Sequence, residues 1–374
     1  MKLVKYLFIF LSLNFLFCTK VLSADCADAS GTTVTISTSC TALSISGDVT
    51  NLTINSGITI DKAGKGAVSI GNNTVTTLTN NGTIKTTSSH YGLRHTGSGH
   101  ITNLINNGSI TSAERYGLST SVSSSITTIT NSGTISAGSH SGLRNYLGTI
   151  GTITNSGTIS AVGKWGLYNN GTIETITNSG TISAGNTDND KDYGLHNNGT
   201  IETISNSGTI SATNRYGLYN TGTITTLSNS NSGTISAGAN YAIANTGSIG
   251  TFTNTGSLIP TGNDGISNQG SITTFNNLQG KSGSNPVTFI KSLPTNYNVI
   301  VNSSSDYGQI EFSSFSGQTN TSLNFGVHST SNLEGSTTYS SVLSGLSSSE
   351  IASGTSDTFS PIGSAKRYDW TLSL

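Results

Sequence analysis

The sequence predicts an all-β fold, a three-sided parallel β-helix (solenoid) of about 25 residues per coil with three short strands in each, on three observations. The first is a recurring motif, Asn-x-Gly-x-Ile or Asn-x-Gly-x-Leu. It falls at Asn80-Gly82-Ile84, Asn106-Gly108-Ile110, Asn131-Gly133-Ile135 and Asn155-Gly157-Ile159. It recurs at Asn178-Gly180-Ile182, Asn206-Gly208-Ile210, Asn231-Gly233-Ile235 and Asn254-Gly256-Leu258. Successive copies lie 23 to 28 residues apart, so each coil has room for one variable loop. The second observation is what lies between the copies. Later repeats hold the motif again, as at Asn169-Gly171-Ile173 and Asn220-Gly222-Ile224, and a third piece, aromatic-Gly-Leu, as at Tyr116-Gly117-Leu118 and Trp165-Gly166-Leu167. The third is that no piece can stand alone. Gly180-Thr181-Ile182-Ser183 has a single Ile to bury, and no repeat holds a strand and turn regular enough to pair with itself.

Stacking resolves this. Coils about 4.8 Å apart pair every strand with the next coil and align the Ile and Leu into one core. Gly is expected to supply positive φ at the corners, a region that Asn also tolerates, and a fixed Asn can hydrogen-bond up and down the stack. Helix does not compete, because Gly and β-branched residues dominate and no 3.6-residue apolar stripe is present.

In chain order, residues 1–24 read as a signal peptide. Lys2 and Lys5 form a basic start, Leu7 to Phe17 is an apolar run too short to span a bilayer, and Val21-Leu22-Ser23-Ala24 offers small residues for cleavage. Residues 25–79 form an N-terminal cap with irregular coils, in which Val34/Ile36, Leu43/Ile45, Leu52/Ile54, Ile58/Ile60 and Val68/Ile70 alternate with period two. Cys26 and Cys40 are a candidate disulfide, expected in an exported chain and worth about 3 kcal/mol. Residues 80–279 are the regular solenoid. Residues 280–374 hold three of the four prolines and strand-like pieces at Tyr297 to Asn302, Gln309 to Phe315 and Tyr368 to Leu374; they read as a cap over an open solenoid end.

Composition narrows the function classes. The chain carries 9% charged residues and a formal net charge of −1, too little positive charge for a nucleic-acid partner. No cofactor motif, nucleophile elbow, phosphate loop or metal-ligand spacing is present, so neither catalytic nor metal residues are assigned. The densest acidic run, Asp188-Asn189-Asp190-Lys191-Asp192, lacks the glycine and closing glutamate of a calcium-binding EF-hand loop and is expected to be a solvated insertion. Glu174 and Glu202 occupy one slot in adjacent coils and are expected to be exposed.

Two surface features carry binding ideas. The aromatic slot before Gly-Leu holds Tyr91, Tyr116, Trp165, Tyr193, Tyr216 and Tyr241. Alternation along a strand puts this slot on the same face as the following Leu, so the rings are expected to point inward as a stacked ladder. The opposite face carries Arg94, Arg144, Tyr168, His196 and Tyr219, of which Tyr168, His196 and Tyr219 are the candidate ligand contacts, by stacking on sugar rings. Ser132/Thr134/Ser136 and the matching residues of later coils form a flat hydroxyl array. Such arrays resemble those of ice-binding solenoids, but a solvated face of good strand formers is the expected reading.

The signal peptide, the Asn-Ser-Gly-Thr-Ile-Ser-Ala-Gly coils and the closing segment together resemble the passenger regions of Gram-negative autotransporters. In the closing segment the resemblance is carried by Leu293-Pro294-Thr295-Asn296-Tyr297-Asn298-Val299-Ile300-Val301, Asp306-Tyr307-Gly308-Gln309, Ser341-Val342-Leu343-Ser344-Gly345-Leu346 and Tyr368-Asp369-Trp370. The resemblance implies a right-handed β-helix displayed outside the outer membrane, and adhesion or display rather than protease or esterase activity. It also implies a translocator barrel, for which residues 280–374 are too short and irregular. The resulting expectation is an exported, non-catalytic passenger at the cell surface, outer membrane or medium, meeting glycans or other cells, with no membrane span in the mature chain. The alternatives are a polysaccharide-active β-helix enzyme (lyase or glycosidase) and an ice-binding solenoid.

Overall fold

The computed structural model describes residues 24–374 apart from residues 65, 89, 186–191, 263, 283–284, 315–319 and 362–365. The expected signal peptide therefore lies outside the described residues except for Ala24, and so do Asp188, Asn189, Asp190 and Lys191 of the acidic run.

The chain is an all-β parallel solenoid of about 12 turns with about 25 residues per coil. Each regular coil runs through three strands. In one coil these are Thr134–Ala137, Ser141–Asn145 and Thr149–Asn155, and their equivalents form three parallel columns, here the first, second and third. Register is maintained from coil to coil. Ile135 pairs with Ile110 and Ile159, Leu143 with Leu118 and Leu167, and Ile153 with Ile129 and Ile176. The first column extends from Thr59–Lys62 to Ser257–Pro260. Near the N-terminus, Leu43–Ile54 serves two columns at once. Its first residues pair with Val68–Ile70 and its last with Thr74–Asn80.

Packing follows from the pattern. A single coil contributes Ile135, Leu143, Ile150 and Ile153 to the interior, each with no exposed surface. Burial of one such side chain is worth about 1.5–3 kcal/mol, gained only when a neighbouring coil covers it. Two ladders of asparagine complete the interior. One runs from Asn80 to Asn277, each side-chain amide nitrogen donating to the next side-chain oxygen at 2.7–3.1 Å. The other runs from Asn145 to Asn268 at 2.7–2.9 Å. The same nitrogens also donate to backbone carbonyls, as Asn131 does to Gly133 and Thr158. The expected stacking of asparagine amides is present, with one shift. In the coil where Asn231 fits the motif, Asn229 holds the ladder position and Asn231 is exposed, because two extra residues lengthen that corner.

The corner glycines serve a different purpose from the one expected. None of Gly133, Gly157, Gly180 and Gly208 lies in the left-handed region, and none of the ladder asparagines has positive φ. A Cβ at any of these glycines would instead collide with the carbonyl oxygen of the corner glycine one coil earlier. Coil-to-coil spacing, not backbone handedness, requires glycine there.

Parallel stacking continues where the motif fades. Asn296–Val299 pairs with Ser271–Asn277, then Leu323–Val327 pairs with Asn296–Val299, and Ile351–Ser353 adds a last rung. The interior changes from aliphatic to aromatic here, with Phe252 stacked on Phe275 at 4.9 Å and Tyr297 beside Phe275 and Phe325. An antiparallel hairpin, Ser356–Phe359 with Tyr368–Thr371, sets Trp370 edge-on against Phe325 at 5.4 Å over this end. At the other end Cys26 and Cys40 are disulfide-bonded, 14 residues apart, and the Cys26 amide donates to Ala42. Among the described residues no helix is long and apolar enough to cross a membrane.

Candidate functional site: a lateral aromatic strip

The second column carries a strip of rings on its outer surface. In each coil the aromatic slot is the first residue of a strand, and glycine follows it. That glycine drops out of the coil-to-coil pairing: Tyr116 pairs with Ser141 and Leu118 with Leu143, with nothing matched between them. A Cβ at Gly142 would lie 2.6 Å from the Ser160 carbonyl oxygen, so the first and second columns press their backbones together at this point. With both the glycine and the following Leu turned inward, alternation resets and the aromatic residue is left outside. The expected inward ladder is thus overturned. Tyr116 and Tyr193 are nearly covered, yet they stand apart from the hydrophobic core that contains Leu118 and Leu195.

The slot rings and the residues three positions later consequently touch. Trp165 stacks on Tyr168 at 4.5 Å, and Tyr193 meets His196 at 5.2 Å and Tyr219 at 4.9 Å. His196 is stacked on Tyr219 at 4.9 Å and tilted against Tyr168 at 5.2 Å. The sequence-predicted contacts Tyr168, His196 and Tyr219 are therefore neighbours in three successive coils. Tyr91 stacks on Tyr116 at 5.3 Å and Tyr216 on Tyr241 at 5.9 Å, so the strip runs over seven coils, roughly 30 Å at strand spacing.

Basic side chains lie among the rings. The Arg144 guanidinium sits 4.6 Å from the Tyr116 ring centre and 4.1 Å from that of Tyr146. Arg94 lies over Tyr91, Lys164 over Trp165 and Arg215 over Tyr216. Burial lowers the pKa of His140, and the positive charges of Lys164, Arg115 and Arg144 lower it further. His196 is depressed to about 4 by burial, and neither ring nitrogen has a hydrogen-bond partner. Burial raises the Tyr168 and Tyr193 hydroxyls. The basic residues Arg115 and Lys164 escaped sequence reading, although each stands one residue before the aromatic slot of its coil.

Other sequence candidates fall elsewhere. Glu174 and Glu202 are side by side in adjacent coils on the third column and exposed, and neither forms an ion pair. Asp192, the described end of the acidic run, is buried and accepts from the backbone N–H groups of Asn214 and Arg215 at 2.7 and 3.0 Å. No cluster of three metal-ligating side chains exists among the described residues. Thr134 and Ser136 face outward on the first column, and a second hydroxyl array, Thr128/Thr130, Thr152/Thr154 and Thr175/Thr177, lies on the third.

Known protein families, curated proteins and solved structures were compared with the chain, and none matches. The site is therefore read from its own geometry.

Proposed function

We propose that the chain is an exported surface solenoid of the passenger type, which holds glycans or neighbouring cell surfaces without cleaving them. The observation that carries this reading is the lateral strip: rings stacked on one another at one-coil spacing hold a rigid row of partly exposed aromatic edges against which successive sugar units can pack. Repetition also allows many weak contacts to act together. Export is supported by the basic and apolar start of the sequence and by the Cys26–Cys40 disulfide. Display rather than cleavage is supported by the setting of Glu174 and Glu202, two open carboxylates without a cation beside them.

A glycan array probed with the mature chain tests the reading. Binding should appear at some sugars and fall in a Tyr168→Ala/Tyr219→Ala variant. A blank array, or binding unchanged by that variant, removes it. The Thr-x-Thr face of the third column favours a second reading, ice binding. Thermal hysteresis in the mature chain would support it, and freezing behaviour equal to that of an unrelated protein would end it.

A further inference from the structure

The N-terminal half of the strip differs from the rest in charge. Arg115, His140, Arg144 and Lys164 gather in three successive coils: the Ser141 amide donates to the Arg115 carbonyl and the Trp165 amide to that of His140, the Tyr116 ring meets His140 at 5.5 Å and the Arg144 guanidinium at 4.6 Å, and the Lys164 ammonium lies 5.8 Å from the Trp165 ring centre. Among the described residues Lys85–Asp61 is an ion pair, but Arg94, Arg115, Arg144 and Lys164 belong to none. Glu114 stands next to Arg115 in sequence and is exposed without pairing to it. Like charges held together on a rigid sheet repel, so their gathering costs stability unless an anion lies between them. Arg144 is also held in place, its guanidinium between Tyr116 and Tyr146, so little freedom is lost when it forms a two-pronged contact with a carboxylate.

We propose that this half of the strip binds an acidic polysaccharide, its carboxylates at Arg115, Arg144 and Lys164 and its sugar rings against the exposed Tyr146 and the partly exposed Trp165. The proposal rests on the glycan reading of the strip and narrows its ligand class. A neutral glycan would use the rings and leave the cations without a role. A single-stranded nucleic acid also combines stacking with phosphate contacts, but it presents a charge at every nucleotide. The strip answers with cations crowded into its first half, whereas beyond Tyr168 the described rings have Arg215 over Tyr216 and otherwise neutral neighbours such as His196 and Tyr219.

The test is affinity electrophoresis of the full mature chain through gels containing hyaluronan, methyl-esterified hyaluronan or oligothymidylate. Hyaluronan should retard the protein about tenfold more strongly than its ester, and less as salt rises. An Arg144→Gln/Lys164→Gln variant with an unchanged circular dichroism spectrum should lose about tenfold in affinity for hyaluronan. Equal retardation by hyaluronan and its ester overturns the acidic class and leaves the glycan reading standing. No retardation by either polysaccharide overturns the acidic class, and the glycan reading is then decided by the array. Stronger retardation by oligothymidylate, or hyaluronan binding that the variant does not weaken, also overturns the proposal.

Discussion

Two stacks of side chains climb this solenoid at the same one-coil spacing, one inside and one outside. The inner asparagine ladders repeat one residue type almost without exception, and every amide nitrogen is satisfied by the coil above and by backbone carbonyls. The outer strip is irregular. The slot changes from Tyr to Ser to Trp, and the residue three positions later from Arg to Ser to Tyr to His. The difference follows from packing. A buried amide has one geometry that avoids leaving its donors unsatisfied, whereas a half-exposed ring can be exchanged at little cost to the fold. Identity is imposed inside, and variety is free to serve recognition outside.

That contrast can be broken at the inside first. Ile153→Ala should cost about 2–5 kcal/mol, read as faster amide exchange in the strands Ser125–Asn131, Thr149–Asn155 and Thr172–Asn178. Exchange confined to the mutated coil would show that the coils do not share a core. Asn155→Ala should follow at about 1–3 kcal/mol, since Asn131 loses its acceptor and Asn178 its donor. A loss below that of a surface substitution would mean that the ladder contributes little.

The outer strip should respond to pH before it responds to truncation. Folding holds His196 neutral down to about pH 4, while the unfolded chain takes up its proton near 6.5. The stability it contributes is therefore complete above about pH 6.5 and is lost as pH falls toward 4, with an upper limit of about 3 kcal/mol. Urea midpoints followed from pH 7 to 4 should fall less in His196→Phe than in the parent chain; parallel curves would contradict the burial argument. The smallest stability effect, below about 1 kcal/mol, is expected for Tyr168→Ala, by thermal melting. The same substitution should weaken glycan binding several-fold, as measured by calorimetry, which separates the strip's role from that of the core.

Much of this was legible in the residues themselves. Ile135, Leu143, Ile150 and Ile153 announce their burial by recurring with Gly and Asn at fixed offsets, and no other arrangement covers them. The continuation of stacking past Phe275 was not legible, because Phe, Tyr and longer loops replace the Ile-and-Asn pattern while keeping the same rung spacing. The strip was half legible: Tyr168, His196 and Tyr219 could be placed outside, but Trp165, Tyr193 and Tyr216 beside them could not.

The repeat period, the composition of the interior and the asparagine ladders were determined by the sequence alone, since each is a local pattern that only stacking can satisfy. The outward turn of the aromatic slot and the gathering of Arg115, Arg144 and Lys164 around His140 were decided by the tertiary structure. The first depends on how closely two columns approach at a glycine and the second on corner residues meeting across stacked coils, and alternation along a single strand contains neither distance.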